Sequence, residues 1–345
     1  MRVKKQKITI QDIANRISMT PSTVSRALNN HPGISETTRQ LVLTTAKAMN
    51  YRPNHIAAAL RSGKSYVIGV VVPRTDRTFF ASIIRGIESE VADQGYGVIV
   101  CQTNDNSNQE KRALDILMRS QVDGIIASVI SSSNSRNAYT HLQEEGVPIV
   151  FYDRIIESIQ ASSVVINDFR GGYIATQHLV DQGYTKIAHF AASLELNIYR
   201  ERLRGYKAAL KEAGLPIRQD WIVHCPSDID KGFKAAQQLF ATPNERPDAL
   251  FSSSDYGALG ALQYLKSQNI RIPEEVGLIG FANEPFTSYV EPTLSTIEQF
   301  SVEMGRTAAR IFLNQLSDTD SSINHQTVLQ PQLIVRDSSN RKLNP

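Results

Sequence analysis

From Tyr66 onward the chain alternates between short apolar runs and segments long enough for helices. The runs are VIGVVV (67–72), VIVC (98–101), GIIASVI (124–130), PIVFYD (148–153), SVVIN (163–167), KIAHFA (186–191), DALFSSS (248–254) and VGLIGF (276–281). Between them lie helix-period segments near 80–94, 109–120, 136–145, 170–182, 200–213, 231–241 and 255–268. Continuous apolar strands separated by helices demand parallel sheets covered on both faces. So many units exceed one compact sheet, and two doubly wound subdomains side by side fit better. The division is expected near residue 164. A late helix (301–316) and two final strands (near 293–298 and 326–336) are expected to cross back. The expected core is therefore 66–164 with about 295–322 as one subdomain, 165–292 with about 325–338 as the other, and 339–345 as a polar tail.

The first 65 residues have a different texture. Ile10, Ile13, Ala14 and Ile17 follow the helical period and predict a first helix near 10–17. After the turn Ser18-Met19-Thr20 comes TPSTVSRAL (20–28), a short helix with its own start signal: Thr20 as N-cap and Pro21 at the first helical position. Val24 and Leu28 give it one apolar side, while Ser22, Ser25 and Arg26 point elsewhere as donors suited to base edges. The loop Asn29–Gly33 ends it. Ser35 caps a third helix carried by Leu41, Val42, Thr45 and Met49, which stops before Pro53. Three short helices with a tight turn between the first two make a helix-turn-helix unit, expected over 1–53.

Residues 54–65 are read as a hinge helix or linker. His55–Arg61 is a good helix former, but under two turns it cannot nucleate alone in water. It should fold only against DNA or its own copy in a second subunit. The plain alternative is a flexible linker. Gly63-Lys64-Ser65 is not the end of a phosphate loop, because the required first glycine is Ala58 and no strand precedes it.

Charge follows the same division. Residues 1–64 hold eleven Lys/Arg against Asp12 and Glu36, and the remainder holds 26 bases against 32 acids. A basic head on a mildly acidic body is the footprint of a nucleic-acid-binding module joined to something else. Cys101 and Cys225 have no metal-ligand or CxxC spacing and are expected to be inert. No signal peptide or membrane-length apolar run is present, so the expected compartment is the cytoplasm. No dinucleotide fingerprint, HExxH, GxSxG or phosphate loop supports an enzyme, and neither a catalytic residue, a cofactor nor a metal is expected.

Two open parallel sheets facing one another place their strand ends around one cleft. The residues just past those ends are Arg74, Phe79, Phe80, Asp153, Arg154, Asp168, Asp255, Asn283 and Glu284, joined by Arg202 of NIYRERLRGY. Carboxylates, amides and an arginine around aromatic rings suit a polyhydroxylated ligand. Each has a plainer reading: Asp168 and Asp255 as caps of the helices they begin, Asp153 as a structural partner near Arg154, and one of Phe79 and Phe80 as ordinary core.

The head segment ITIQDIANRISMTPSTVSRALNNHPGISETTRQLVLTTAKAMNYRPN closely resembles the DNA-binding domain of the LacI/GalR family of bacterial transcriptional regulators. The body is similar to that family's regulatory core, itself akin to periplasmic sugar-binding proteins, through VINDFRGGYIATQHLVDQGYTKIAHFA, RLRGY, SSSDYGALGAL and LIVRDSS. The resemblance covers essentially the whole chain. It implies that Pro21, Ser22 and Arg26 read bases in the major groove, while Thr9, Thr20, Ser25 and Asn29 contact the DNA backbone. It implies that Leu60 wedges into the minor groove at the centre of a palindrome, with Ala57 where two hinge helices pack. A position often basic in relatives is Ala58 here. In the pocket it implies ligand contacts from Phe79, Phe80, Asp153, Arg202 and Asp255. The chain departs from the family at Gly280-Phe281, where Ala282 follows in place of an aspartate, leaving Asn283 or Glu284 to substitute. Ser227 stands where relatives often carry a stacking aromatic, which disfavours a purine.

The expected protein is thus a small all-α helix-turn-helix head plus an α/β core of two doubly wound parallel-sheet subdomains of the periplasmic-binding-protein kind. It is expected to bind double-stranded operator DNA as a homodimer, without a membrane, under control of a small effector, a sugar or sugar derivative. The competing readings are the same architecture sensing a nucleobase or a protein partner, a solute-binding protein of the cell envelope, or a sugar-processing enzyme.

Overall fold

The computed structural model describes residues 8–51, 63–242, 245–317 and 324–341. Ala57 and Leu60 lie outside the described residues. The chain divides into two compact units, Met1–Ser65 and Tyr66–Pro345.

The head is three helices: α1 (Ile10–Arg16), α2 (Pro21–Leu28) and α3 (Glu36–Ala48). Each starts on a hydroxyl cap. Thr9 accepts from the Asp12 amide, Thr20 from Thr23 and Ser35 from Thr38. Such caps contribute about 1 kcal/mol each, which matters for helices this short. Ile13, Ala14, Val24, Ala27, Val42 and Ala46 form the small core. On α2 the fully buried partner of Val24 is Ala27; Leu28, expected in that place, is only partly buried.

The core begins with β1 (Val67–Val72), α4 (Thr78–Val91), β2 (Gly97–Gln102), α5 (Ser107–Arg119), β3 (Ile125–Ala127), α6 (Ser132–Glu144), β4 (Ile149–Tyr152) and β5 (Ser162–Ile166). It continues with α7 (Asp168–Asp181), β6 (Ile187–Ala191), α8 (Asn197–Glu212), β7 (Ile222–His224), α9 (Ile229–Leu239), β8 (Ala249–Ser252), α10 (Asp255–Ser267) and β9 (Gly277–Ile279). It closes with β10 (Thr296–Glu298), α11 (Ser301–Ser317), β11 (Gln326–Leu329) and β12 (Gln332–Ile334). One sheet runs β11-β5-β4-β3-β1-β2 and the other β7-β6-β8-β9, with every pair in both parallel. The strand period divides each sheet between two apolar layers. Ile68, Val70 and Val72 of β1 pack with Ile83 and Ile87 of α4 and Phe312 of α11, while Val71 packs with Leu117 of α5 and Tyr139 of α6. Each such Val or Ile contributes roughly 1.5–3 kcal/mol by burial.

The topology corrects the expected subdomain limits. β5 belongs to the first sheet, so the crossing falls after Ile166 rather than near 164. The late run expected as one strand near 326–336 is two: β11 completes the first sheet beside β5, and β12 pairs antiparallel with β10. Ile297 of β10 packs into the second subdomain's apolar layer, which moves this crossover out of the first subdomain. β7 is an addition, an edge strand of three residues announced only by the short apolar run Trp221-Ile222-Val223. The expected tail is also shorter. Ser338 and Ser339 are fully buried, Ser338 donating to the Leu278 carbonyl at 2.7 Å and Ser339 to Ser295 at 2.7 Å.

Candidate functional site

On α2, Pro21, Ser22 and Arg26 are exposed, opposite buried Val24 and Ala27. Ser22 and Arg26 are four residues apart and share one helix face. Among the described residues no hydrogen bond or ion pair is recorded for the Arg26 guanidinium, so its donors are available to a base edge. The residues expected at the DNA backbone are more occupied. Thr9 donates its hydroxyl to Asp12 at 2.7 Å and its amide to the same carboxylate at 2.8 Å. Those bonds hold the Asp12 carboxyl below its ordinary range. Thr20 shares hydroxyl contacts with Ser22 at 2.8 Å and Thr23 at 2.9 Å. Asn29 closes α2, its side chain donating to the Ser25 carbonyl at 2.8 Å.

In the core, Phe79, Phe80, Asp153, Arg202, Asp255 and Glu284 line one cavity of about 470 Å³. Phe79 and Phe80 begin α4 and meet edge to face at 5.1 Å; both line the cavity, where only one was expected to. Asp153 follows β4 with φ at +59°, in the left-handed region, and its amide donates to Val164 at 3.0 Å. Burial raises its carboxyl above the ordinary value.

Arg202 is held from every side. Its Nε donates to Asp168 at 2.8 Å, Nη1 to the Ser253 carbonyl at 2.8 Å and Nη2 to Gln299 at 3.2 Å. Its guanidinium lies 3.6 Å from the centre of the Phe281 ring. Burial pushes Asp168 up to about 7, against the pull of Arg202. The close approach of α7 and α8 makes the pair possible. A Cβ on Gly172 would stand 2.2 Å from the Arg202 carbonyl oxygen, so no larger residue fits without separating the helices.

The helix caps are not the two aspartates. Asn167 caps α7 and Ser254 caps α10, each one residue earlier. Asp168 and Asp255 are thereby freed for tertiary bonds. Asp255 accepts from Thr296 at 2.6 Å and from the Glu284 amide at 2.8 Å, and burial pushes its carboxyl up to about 7. At Gly280 a Cβ would stand 2.1 Å from Asp255 Oδ1, which explains a glycine there.

Asn283 and Glu284 part company. Ala282 and Asn283 both have positive φ, +120° and +50°, and the turn carries Asn283 away from the cavity. Asn283 donates to Glu298 at 2.7 Å and accepts from Arg336 at 2.9 Å. The expectation that it serves the ligand is corrected: its amide is used to hold the turn. Glu284 stays at the cavity wall, Oε1 accepting from the Phe79 amide at 3.4 Å.

Sequence reasoning missed Gln299 and Arg77. Arg77, just before α4, donates to the Ser227 carbonyl at 3.1 Å and lies 3.5 Å from the centre of the Tyr256 ring, tying the two subdomains across the cavity mouth. Gln299 directly follows the strand expected near 293–298, and Arg77 lies between Arg74 and Phe79 after the first strand, so position could have drawn attention to both, but no local pattern sets them apart from their neighbours. Among the described residues no cluster of His, Cys, Asp and Glu is placed to hold a metal ion. Nor is any helix long and apolar enough to cross a membrane.

Residues 9–54 match the family of bacterial regulatory proteins, lacI family, and residues 65–333 match periplasmic binding proteins and sugar binding domain of LacI family. The chain belongs to the LacI family. This LacI-family chain is a DNA-binding transcriptional regulator, not an enzyme. It is 32% identical to the HTH-type transcriptional repressor PurR of Vibrio campbellii over 97% of this chain and 99% of that one. It is 33% identical to catabolite control protein A of Priestia megaterium over 92% of this chain and 95% of that one. A solved transcriptional regulator CelR–cellobiose complex superimposes with a TM-score of 0.74 at 26% identity, over 96% of this chain and 100% of that one.

Proposed function

We propose that this LacI-family regulator is a homodimeric repressor of a palindromic operator, acting in the cytoplasm and controlled by a sugar or sugar derivative in the core cavity. Pro21, Ser22 and Arg26 read bases, with Thr9, Thr20, Ser25 and Asn29 positioning the helix on the DNA backbone. Leu60 and Ala57 supply the hinge contacts at the operator centre. Effector contacts come from Phe79, Phe80, Asp153, Arg202, Asp255 and Glu284.

The observation that carries the reading is the composition of the cavity wall. Carboxylates and arginines from both subdomains surround the edge-to-face Phe79–Phe80 pair. Charged groups give strong hydrogen bonds to hydroxyls, and phenyl rings cover the apolar face of a pyranose. The cellobiose named in the CelR complex is a ligand of that chemistry. Because the cavity is walled by both subdomains, a ligand there favours one relative setting of the two over another. A coupling of about 1–3 kcal/mol between effector and operator sites would follow.

The test is thermal denaturation of the full chain with a panel of sugars and nucleobases. A sugar that binds the folded state raises the melting temperature in proportion to the logarithm of its concentration over Kd. A shift with nucleobases and none with sugars would reject the sugar reading.

A further inference from the structure

Among the described residues two buried polar atoms in the cavity wall have no hydrogen-bond partner, and they are of opposite kinds, although Arg154 Nε stands 3.8 Å from an Asp153 carboxylate oxygen. Glu284 Oε2 is an acceptor and Arg154 Nε a donor. Glu284 is 3% exposed and Arg154 8%. Buried polar groups are normally satisfied, and one left unpaired costs stability. Two at one cavity are accounted for if something that enters the cavity completes them.

The rest of each side chain is anchored, so both atoms are held in place. Glu284 Oε1 takes the Phe79 amide at 3.4 Å, and Arg154 Nη1 donates to Asp105 at 2.6 Å. The Phe79–Phe80 pair links the two, since the Arg154 guanidinium lies 5.8 Å from the Phe80 ring centre. The sequence of groups along the wall is acceptor, ring, ring, donor.

The arginines of the cavity wall already have partners. Arg202 pairs with Asp168, Arg74 with Asp76 at 2.6 Å, and Arg154 with Asp105 and, at 3.8 Å, Asp153. Arg77 is taken up by the Ser227 carbonyl and the Tyr256 ring. Among the described residues each arginine of the wall already faces a carboxylate or a carbonyl, so Arg154 Nε offers a donor without an uncompensated positive charge, and the lining lysine, Lys231, is exposed. A free carboxylate oxygen at Glu284 would repel an anion.

We infer that Glu284 Oε2 and Arg154 Nε are the specificity-determining anchors for an uncharged sugar, one hydroxyl donating to Glu284 and a second oxygen accepting from Arg154. This rests on the sugar reading of the cavity and narrows it, excluding sugar acids and sugar phosphates. The test uses the full chain with D-glucose, D-xylose, cellobiose and maltose as neutral probes. D-glucuronate and glucose 6-phosphate are the anionic probes, and adenine and hypoxanthine the nucleobases. Binding is followed by thermal shift and calorimetry. Glu284→Gln keeps the oxygen that takes the Phe79 amide, and Arg154→Lys keeps the charge facing Asp105, so each removes chiefly the unpaired atom.

The expected result is that a neutral sugar binds the native chain and binds each variant about tenfold or more weakly. Ligand-free Glu284→Gln should melt no lower than the native chain, since no protein partner is lost. Equal affinity in native and variant chains overturns the anchor assignment and leaves the sugar reading standing. A ligand-free Glu284→Gln that melts several degrees lower makes Oε2 structural and overturns it likewise. Binding of D-glucuronate or glucose 6-phosphate in place of the neutral sugars overturns the inference alone. Nucleobase binding only, or no binding by any probe, overturns the inference and the sugar reading together.

Discussion

Arg26 and Arg202 both project from helices, and the molecule uses them in opposite ways. Arg26 stands exposed on α2, with no recorded hydrogen bond or ion pair among the described residues. Arg202 is 4% exposed on α8, and a carboxylate, a carbonyl and an amide oxygen take its donors while a phenyl ring lies against it. The head thus keeps donors available for a surface it must meet from outside. The core spends most of its donors on itself and leaves Glu284 Oε2 and Arg154 Nε without hydrogen bonds in the cavity wall. Recognition in the head is set by what protrudes from a small helical scaffold. On the proposal above, recognition in the cavity is set by what that network leaves unsatisfied.

The comparison breaks most visibly at Arg202. Arg202→Ala strands a buried Asp168 and removes a guanidinium packed on Phe281. Loss of one partner of a buried pair costs about 3–5 kcal/mol. Denaturant unfolding of the core should show that loss whether or not a ligand is bound. A stable Arg202→Ala core that has lost only its ligand response would mean the arginine serves the ligand alone.

Asp255 sharpens the core side through pH. Its folded value of about 7 lies above the ordinary 3.8. The protonated form is therefore favoured by folding: the stabilising contribution is complete below about pH 3.8 and is lost as pH rises through about 7. Asp255→Asn cannot titrate. Its stability relative to the native chain should improve between pH 4 and pH 8, by roughly 4 kcal/mol. A difference that stays constant over that range, by urea unfolding at several pH values, would place the aspartate's titration elsewhere.

Arg26→Ala should leave the stability of the head within about 0.5 kcal/mol, as for other exposed positions. It should cost about 1–3 kcal/mol of discrimination between an operator and an unrelated duplex. Fluorescence anisotropy with both duplexes reads the difference. An equal loss on both would make Arg26 a phosphate contact and blur the contrast with Arg202.

The head was almost fully legible in the sequence because its determinants are local. Thr9, Thr20 and Ser35 precede their helices directly, and Pro21 marks the first turn of α2. The strands and helices of the core were legible for the same reason, but their assembly was not. Whether β5 closes the first sheet or opens the second depends on partners at 149–152 and 326–329, which no local period encodes. The cavity divides in the same way. Asp168 and Asp255 each follow a second cap-forming residue, and only the packing of α7 on α8 and of residues 280–296 on α10 shows that the first caps and the second pairs. Asn283 and Glu284 are adjacent and chemically alike as candidates. The two positive φ angles at Ala282 and Asn283 decide that of the two only Glu284 lines the core cavity.

The central claim is that the occupied cavity governs the head's grip on DNA. It is tested most directly by the affinity of the full chain for a palindromic operator, selected from a random pool, at increasing concentrations of whichever neutral sugar raises its melting temperature. The account predicts a 5–150-fold change in operator Kd, matched by an equal change in sugar affinity when operator is bound, as linkage requires. An operator Kd that stays constant while calorimetry shows the cavity filled would contradict it.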